Sequence, residues 1–193
     1  FMWEYYPDGA PVVFMDDDIG DVRILDTSQS LKSAADLYKD VISGGFHSMR
    51  ENNAYLWGLY AVSNAGFMSG SVSQDDDEAS VRERISVGNW FIAGVFYGVV
   101  IRHDLKLLVH HADKEDYERS VFHFIKDGRV VRVDFATTDA VAYKGSGGFV
   151  DQRTRRSSHI SAEYMLRTYP KYVRDMGMRD TGPHTGVREI RLI

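Results

Sequence analysis

The stretch from Asn89 to Thr138 constrains this chain more than any other. Around its start, Val87 to Ile101 (VGNWFIAGVFYGVVI) is an aromatic and β-branched run interrupted by Gly88, Gly94 and Gly98. Near its end, Arg129 to Ala136 (RVVRVDFA) alternates Val131, Val133 and Phe135 with Arg132 and Asp134. Both read as strands, the first a long buried one whose glycines mark a bulge or a close approach by a ligand or another backbone. Between them lie two apolar stripes that are out of phase: Leu105, Leu108, Val109 and Ala112, then Tyr117, Val121, Phe124 and Ile125. The second predicts a helix from about Lys114 to Lys126, closed by Gly128, and leaves residues 104–111 open between helix and strand. Strand, helix and strand in that order predict a crossover unit in a mixed sheet, with any ligand near the carboxyl end of the first strand.

The flanking segments extend this pattern. Pro11–Met15 and Val22–Leu25 read as strands joined by an acidic turn containing Asp16, Asp17, Asp18 and Asp21. Oxygen ligands so close could hold a divalent cation, but no His or Glu is placed to close a site, and a solvated turn is the preferred reading. Asp26, Thr27 or Ser28 can cap a helix over residues 31–42, which Gly44 and Gly45 then end. Ala54–Val62 and Phe67–Val72 read as a strand hairpin bent at Gly66, followed by an acidic loop over Gln74–Glu78. Residues 137–156 read as a polar insertion rich in Gly and Arg. Ser157 or Ser158 starts a helix carrying Ile160, Tyr164 and Met165, and Pro170 opens a further helical segment through Met176 to Gly177. Residues 178–182 and 187–193 close the chain as a strand pair around a PHTG turn. The expected class is therefore α/β with a mixed sheet, in a single domain. Residues 1–19 form an aromatic and acidic segment packed on its surface.

Composition narrows the chemistry. A chain of 193 residues with 44% hydrophobic and 26% charged content can build one sizeable core. A net charge of -5 argues against a nucleic-acid partner, since only the local run Arg153, Thr154, Arg155, Arg156 could touch phosphates. Absence of cysteine removes thiol nucleophiles and thiolate metal sites. No apolar run reaches the roughly 20 residues needed to span a bilayer, and nothing resembles a signal peptide, so a cytoplasmic protein without a membrane partner is expected. Among the seven histidines, His110, His111 and Asp113 contain half of a two-His, one-carboxylate iron set, with His159 as distal ligand and Arg188 as anchor for a 2-oxo acid. Exposed polar residues between two elements explain HHADKED more simply, and no metal site is expected.

The order of elements resembles the GNAT superfamily of N-acetyltransferases over residues 20–193. Tyr172–Gly182 (YVRDMGMRDTG) looks like that family's last helix passing into its penultimate strand, and VRILDTSQSLKSAADLY is similar to its first strand and helix. The resemblance implies acyl transfer from acetyl-CoA to a small-molecule or peptide amine. Tyr172 or Tyr164, with Tyr169 as a further candidate, would protonate the leaving thiolate. In the family a loop after the long strand carries an Arg or Gln, then two small residues, and its amides hold the cofactor's pyrophosphate. The matching region is VVIRHDLKLL, so Arg102, flanked by His103 and by Gly98 on the strand, is the candidate cofactor-binding set. Leu105 and Leu107 stand where the family has small residues. This leaves open a second reading, a non-catalytic GNAT-like domain that binds a protein partner or self-associates as part of a larger assembly.

Overall fold

The computed structural model describes residues 5–68, 75–111, 113–140, 154–180 and 185–193. Among them a seven-stranded mixed sheet runs in the order β1 (Pro11–Met15), β6 (Phe96–Val100), β4 (Leu56–Tyr60), β7 (Val130–Ala140), β2 (Ile19–Leu25) and β3 (Leu31–Ser33), with β5 (Ile85–Gly88) also on β7. All pairs are antiparallel except β4 with β7. β7 is the centre. One of its flanks carries β4, and the other is shared between β5, opposite Val130–Val133, and β2, opposite Ala136–Ala140. The mixed α/β class expected from the sequence is the class observed.

Three apolar clusters define the layers. On one face of the sheet Trp57, Leu59, Phe96, Val131 and Val133 pack with Val41 and Met49 of a helix that begins as a π-helical turn (Tyr38–Ile42) and continues as α1 (Ser43–Glu51). On the other face Leu56, Val99, Ile101 and Val130 surround Ile92. Beyond it lies α4 (Glu115–Asp127), whose outer side, with Val121 and Phe122, meets Ala162 and Met165 of α5 (Arg155–Thr168) and the two-stranded ribbon of β8 (Val173–Met178) and β9 (Arg188–Leu192). Two short helices, α2 (Ala65–Met68) and α3 (Glu78–Arg82), complete the described elements.

Several expectations are corrected. The run 87–101 is two strands, not one: Gly88 turns the chain at φ +148°, and Ile92, fully buried, plugs the gap over Gly58 while its N–H donates to Ser120 Oγ at 3.0 Å. The apolar content of NWFIAG fills that gap rather than extending a strand. The helix over 114–126 and its left-handed Gly128 cap are present. The strands it joins run in opposite directions with β4 between them, so they are not a parallel crossover pair. Residues 104–111, left open, contain a 3₁₀ turn at Leu105–Leu107.

The helix expected over 31–42 starts at Tyr38 instead. Asp26 accepts from Ser28 Oγ at 2.6 Å and from the Ser30 N–H at 3.0 Å, so it builds a hairpin turn into β3 rather than a cap. Gly44 and Gly45 lie inside α1. The expected hairpin over 54–72 is also absent: β4 pairs with β6 and β7, Phe67 and Met68 belong to α2, and residues 69–72 lie outside the described residues. Of the polar insertion, Thr137–Ala140 extend β7, Arg155 and Arg156 open α5, and residues 141–153 lie outside the described residues. The segment after Pro170 is strand β8, not helix, and the closing pair is shifted to Val173–Met178 with Arg188–Leu192. Part of the PHTG turn lies outside the described residues. Of the N-terminal segment, Pro11–Met15 is an edge strand of the sheet, antiparallel to β6, and does not pair with β2.

The two glycines of α1 answer to different demands. Gly44 has open space around a would-be Cβ, whereas a Cβ on Gly45 would sit 2.5 Å from the Trp57 ring. Helix propensity alone favours alanine at both by about 1 kcal/mol. Gly44→Ala is therefore expected to stabilise by up to about 1 kcal/mol, and Gly45→Ala to destabilise by about 1–3 kcal/mol because the clash exceeds the propensity gain. Urea denaturation of the two variants checks this; equal shifts would show that Trp57 does not require Gly45.

Candidate functional site

The sequence-derived residues fall into two groups. Arg102, just past β6, forms a two-pronged ion pair with Asp127 at the end of α4, Nη1 to Oδ1 at 2.6 Å and Nη2 to Oδ2 at 2.7 Å. The same guanidinium lies 4.0 Å over the Tyr55 ring, and Nη2 also donates to His123 Nδ1 at 3.0 Å. Because arginine only donates, His123 accepts at Nδ1 and carries its proton at Nε2. Burial and the Arg102 charge hold the His123 pKa below its ordinary 6.5. Burial pushes the Asp127 carboxyl up, but the two Arg102 hydrogen bonds and the Arg102 charge outweigh this and leave it below the usual range. His103 is tied back to the N-terminal segment, its Nε2 at 2.9 Å from the Tyr6 carbonyl and its N–H donating to Asp8 Oδ1 at 2.9 Å. Gly98 is directly over Trp57, where a Cβ would collide with the indole.

The second group gathers on α5. Tyr164 lies on that helix and its ring packs 4.3 Å from the His111 ring. Tyr169, at the helix C-terminus, hydrogen-bonds with Tyr164 and packs edge-on against Phe122. Burial first, then the Tyr164 contact, raise the Tyr169 pKa strongly, so this hydroxyl stays protonated at any ordinary pH. An open groove runs beside them, lined by His111, Ile160, Glu163, Tyr164, Arg167 and Arg188 among others. Tyr172 is not on a helix: it occupies the turn before β8, its ring edge-on to Phe124 and its carbonyl accepting from the Ile193 N–H and from Asn89 Nδ2. Arg102, His103 and Gly98 are not among the groove residues, so the structure brings Tyr164 and Tyr169 together and leaves the cofactor-binding candidates elsewhere.

Of the iron set, His111 and Arg188 do share this groove, and His159 Nε2 lies 3.1 Å from Glu163 Oε1. Arg188 is held by Asp175 and Glu163, and His110 Nδ1 is 2.9 Å from Glu118 Oε1. Among the described residues no three His, Asp or Glu side chains are placed to hold a metal ion.

The residue that sequence reading missed is Glu118. It is fully buried and accepts from the His110 N–H at 2.6 Å and the His111 N–H at 3.2 Å, besides facing the His110 ring. One carboxylate thus pins the loop that lays His111 on Tyr164. Its signal was available: Glu118 sits three and four residues before Val121 and Phe122, on the buried side of α4. No known protein family, no curated protein and no solved structure matches this chain. No helix among the described residues is long and apolar enough to cross a membrane.

Two outcomes follow from these networks. Glu118→Gln leaves an amide facing backbone donors, and is expected to cost about 2 kcal/mol and to speed amide hydrogen exchange at His110 and His111; unchanged exchange would remove the pinning role. His123 is neutral in the fold, so below about 6.5 the unfolded chain binds a proton that the folded chain does not, and stability falls as pH drops through that window. Asp127, with its pKa depressed, adds nothing to this loss until far lower pH. The urea midpoint is expected to drop between about pH 7.5 and 5.5, and His123→Gln to flatten the drop; an equal drop in the variant would assign it to other groups.

Proposed function

We propose that this chain is a non-catalytic binding or assembly domain that engages a protein partner or further copies of itself through the α5 and β8–β9 side. The observation that carries this reading is the commitment of Arg102. To grip a pyrophosphate the guanidinium would have to leave Asp127, stranding a carboxylate whose side chain is 6% exposed, a cost of about 3–5 kcal/mol. His103 and Gly98 are likewise accounted for by internal contacts. The α5 and ribbon side supports the positive half: Ile160, Met176, Met178 and Ile193 are each about half exposed, and the ribbon joins no third strand among the described residues. Apolar side chains beside an open strand edge are features of docking surfaces.

The second reading is N-acyl transfer from acetyl-CoA to an amine. What favours it is the open groove beside Tyr164 and Tyr169, into which a tyrosine hydroxyl could deliver a proton; the raised Tyr169 pKa makes that hydroxyl a weak acid and leaves Tyr164 as the donor.

A thermal melt separates the two. With millimolar acetyl-CoA, and with adenosine diphosphate as control, the midpoint is expected to stay within error of the unliganded protein, because a ligand stabilises only in proportion to its occupancy of the folded state. A rise specific to the thioester, lost in Arg102→Ala, would overturn the binding-domain reading and restore acyl transfer.

A further inference from the structure

The β8–β9 ribbon has two unlike faces. Val173, Ile190 and Leu192 turn inward and pack with α5 and α4. Alternation then turns Arg174 and Arg191 outward, and the strand register sets these two residues directly opposite one another. Both are exposed, and neither has an ion-pair or hydrogen-bond partner among the described residues. The nearby carboxylates are already engaged: Asp175 holds Arg188, and Glu189 holds Arg179 at 2.5 Å. Like charges directly opposite on adjacent strands destabilise a ribbon, and this one has only two strands in which to absorb the cost. The pair lines a concavity together with Asp175, whose carboxylate is held by Arg188, and with Met176, Leu192 and Ile193. The site therefore offers two outward-facing arginines opposite one another beside apolar surface, on a strand pair that joins no third strand among the described residues.

We propose that this face docks an acidic, extended segment of a partner protein, a carboxylate of that segment lying between Arg174 and Arg191 and a neighbouring apolar side chain lying on Met176 and Ile193. The inference rests on the binding-domain reading and names the chemistry of its partner. Arginine forks suit carboxylates because each offers paired donors in one plane, and interfaces favour arginine and methionine for the same mixture of apolar and polar contact. Phosphates of a nucleic acid would also be drawn to the pair. Against them stand the net charge of -5, which repels a long polyanion, and a concavity lined without any aromatic ring on which a base could stack. A short acidic segment carries few charges against the same field, and its interspersed apolar residues need no stacking ring.

The test uses the whole chain and a fluorescein-labelled octapeptide of alternating Asp and Leu, read by anisotropy at about 50 mM salt, where surface charge is weakly screened. Its controls are the same peptide with Asn for Asp and an eight-residue oligothymidylate. The acidic peptide is expected to bind, and Arg191→Glu and the Asn peptide each to weaken binding by about tenfold or more. Arg191→Glu is also expected to melt no lower than the parent, since it replaces a repulsive cross-strand pair with an attractive one. Lost binding in a variant at least as stable as the parent would mark the arginine pair as serving a ligand. The proposal is overturned if the peptide does not bind, if Arg191→Glu or the Asn peptide binds as well as the reference, or if the oligothymidylate binds more tightly than the acidic peptide. Any of these leaves the non-catalytic reading standing. That reading falls only to a thioester-specific melting shift, which is independent of the peptide result.

Discussion

The burial of Trp57 is the constraint on which the rest of the sheet depends. This indole sits on β4, between β6 and β7, and it is fully buried against Phe46 and Phe96. A side chain of that size at the centre of a sheet needs space on two sides at once. Gly98 supplies it within the sheet and Gly45 from the helix above, so the helix lies closer to the strands than side chains at those positions would allow. On the opposite face the same strand carries Gly58, over which Ile92 inserts. The pairing of one large residue with facing glycines is how close packing is reached without a void.

Seen this way, the limits of sequence reading have a common cause. Glycine was read by its local meaning, as a helix end at Gly44 and Gly45 and a bulge or ligand approach at Gly98, while its actual role is set by Trp57, many residues away. The helix over 115–127 was legible because its apolar spacing and its left-handed Gly128 are both local. So was the alternation of β7. The hairpin expected over 54–72 failed for the opposite reason, since β4 finds both partners beyond residue 95 and nothing in its own sequence names them. The segment from Pro170 to Gly177 reads as helix because the exposed residues of β8 after Val173 give no alternation to follow.

The polar residues divide along the same line. Arg102 was chosen by position in a loop after an apolar run, and that position is where the helix α4 returns to meet the strand, so Asp127 and His123 are the neighbours it finds. Glu118 shares the helix face of Val121 and Phe122, which marks it as buried, but what it holds is set by a loop that its own sequence does not name. Tyr164 and Tyr169 stand out in the sequence only as separate candidates; their adjacency at one helix end, and the His111 ring laid on Tyr164 beside the Glu118 contact, are set by the fold.

The division of one flank of β7 between β5 and β2 bears on how the chain acquires its structure. Its partners come from residues 19–25, 56–60 and 85–88, all of which leave the ribosome before β7 itself. Until residue 140 emerges, these strands have no common neighbour, and their open edges must be kept from pairing wrongly with one another or with other chains. Such distant pairings slow folding and lengthen exposure of unpaired edges. Vectorial synthesis thus leaves this sheet waiting for its middle, and the nascent chain is most vulnerable to aggregation just before its central strand arrives.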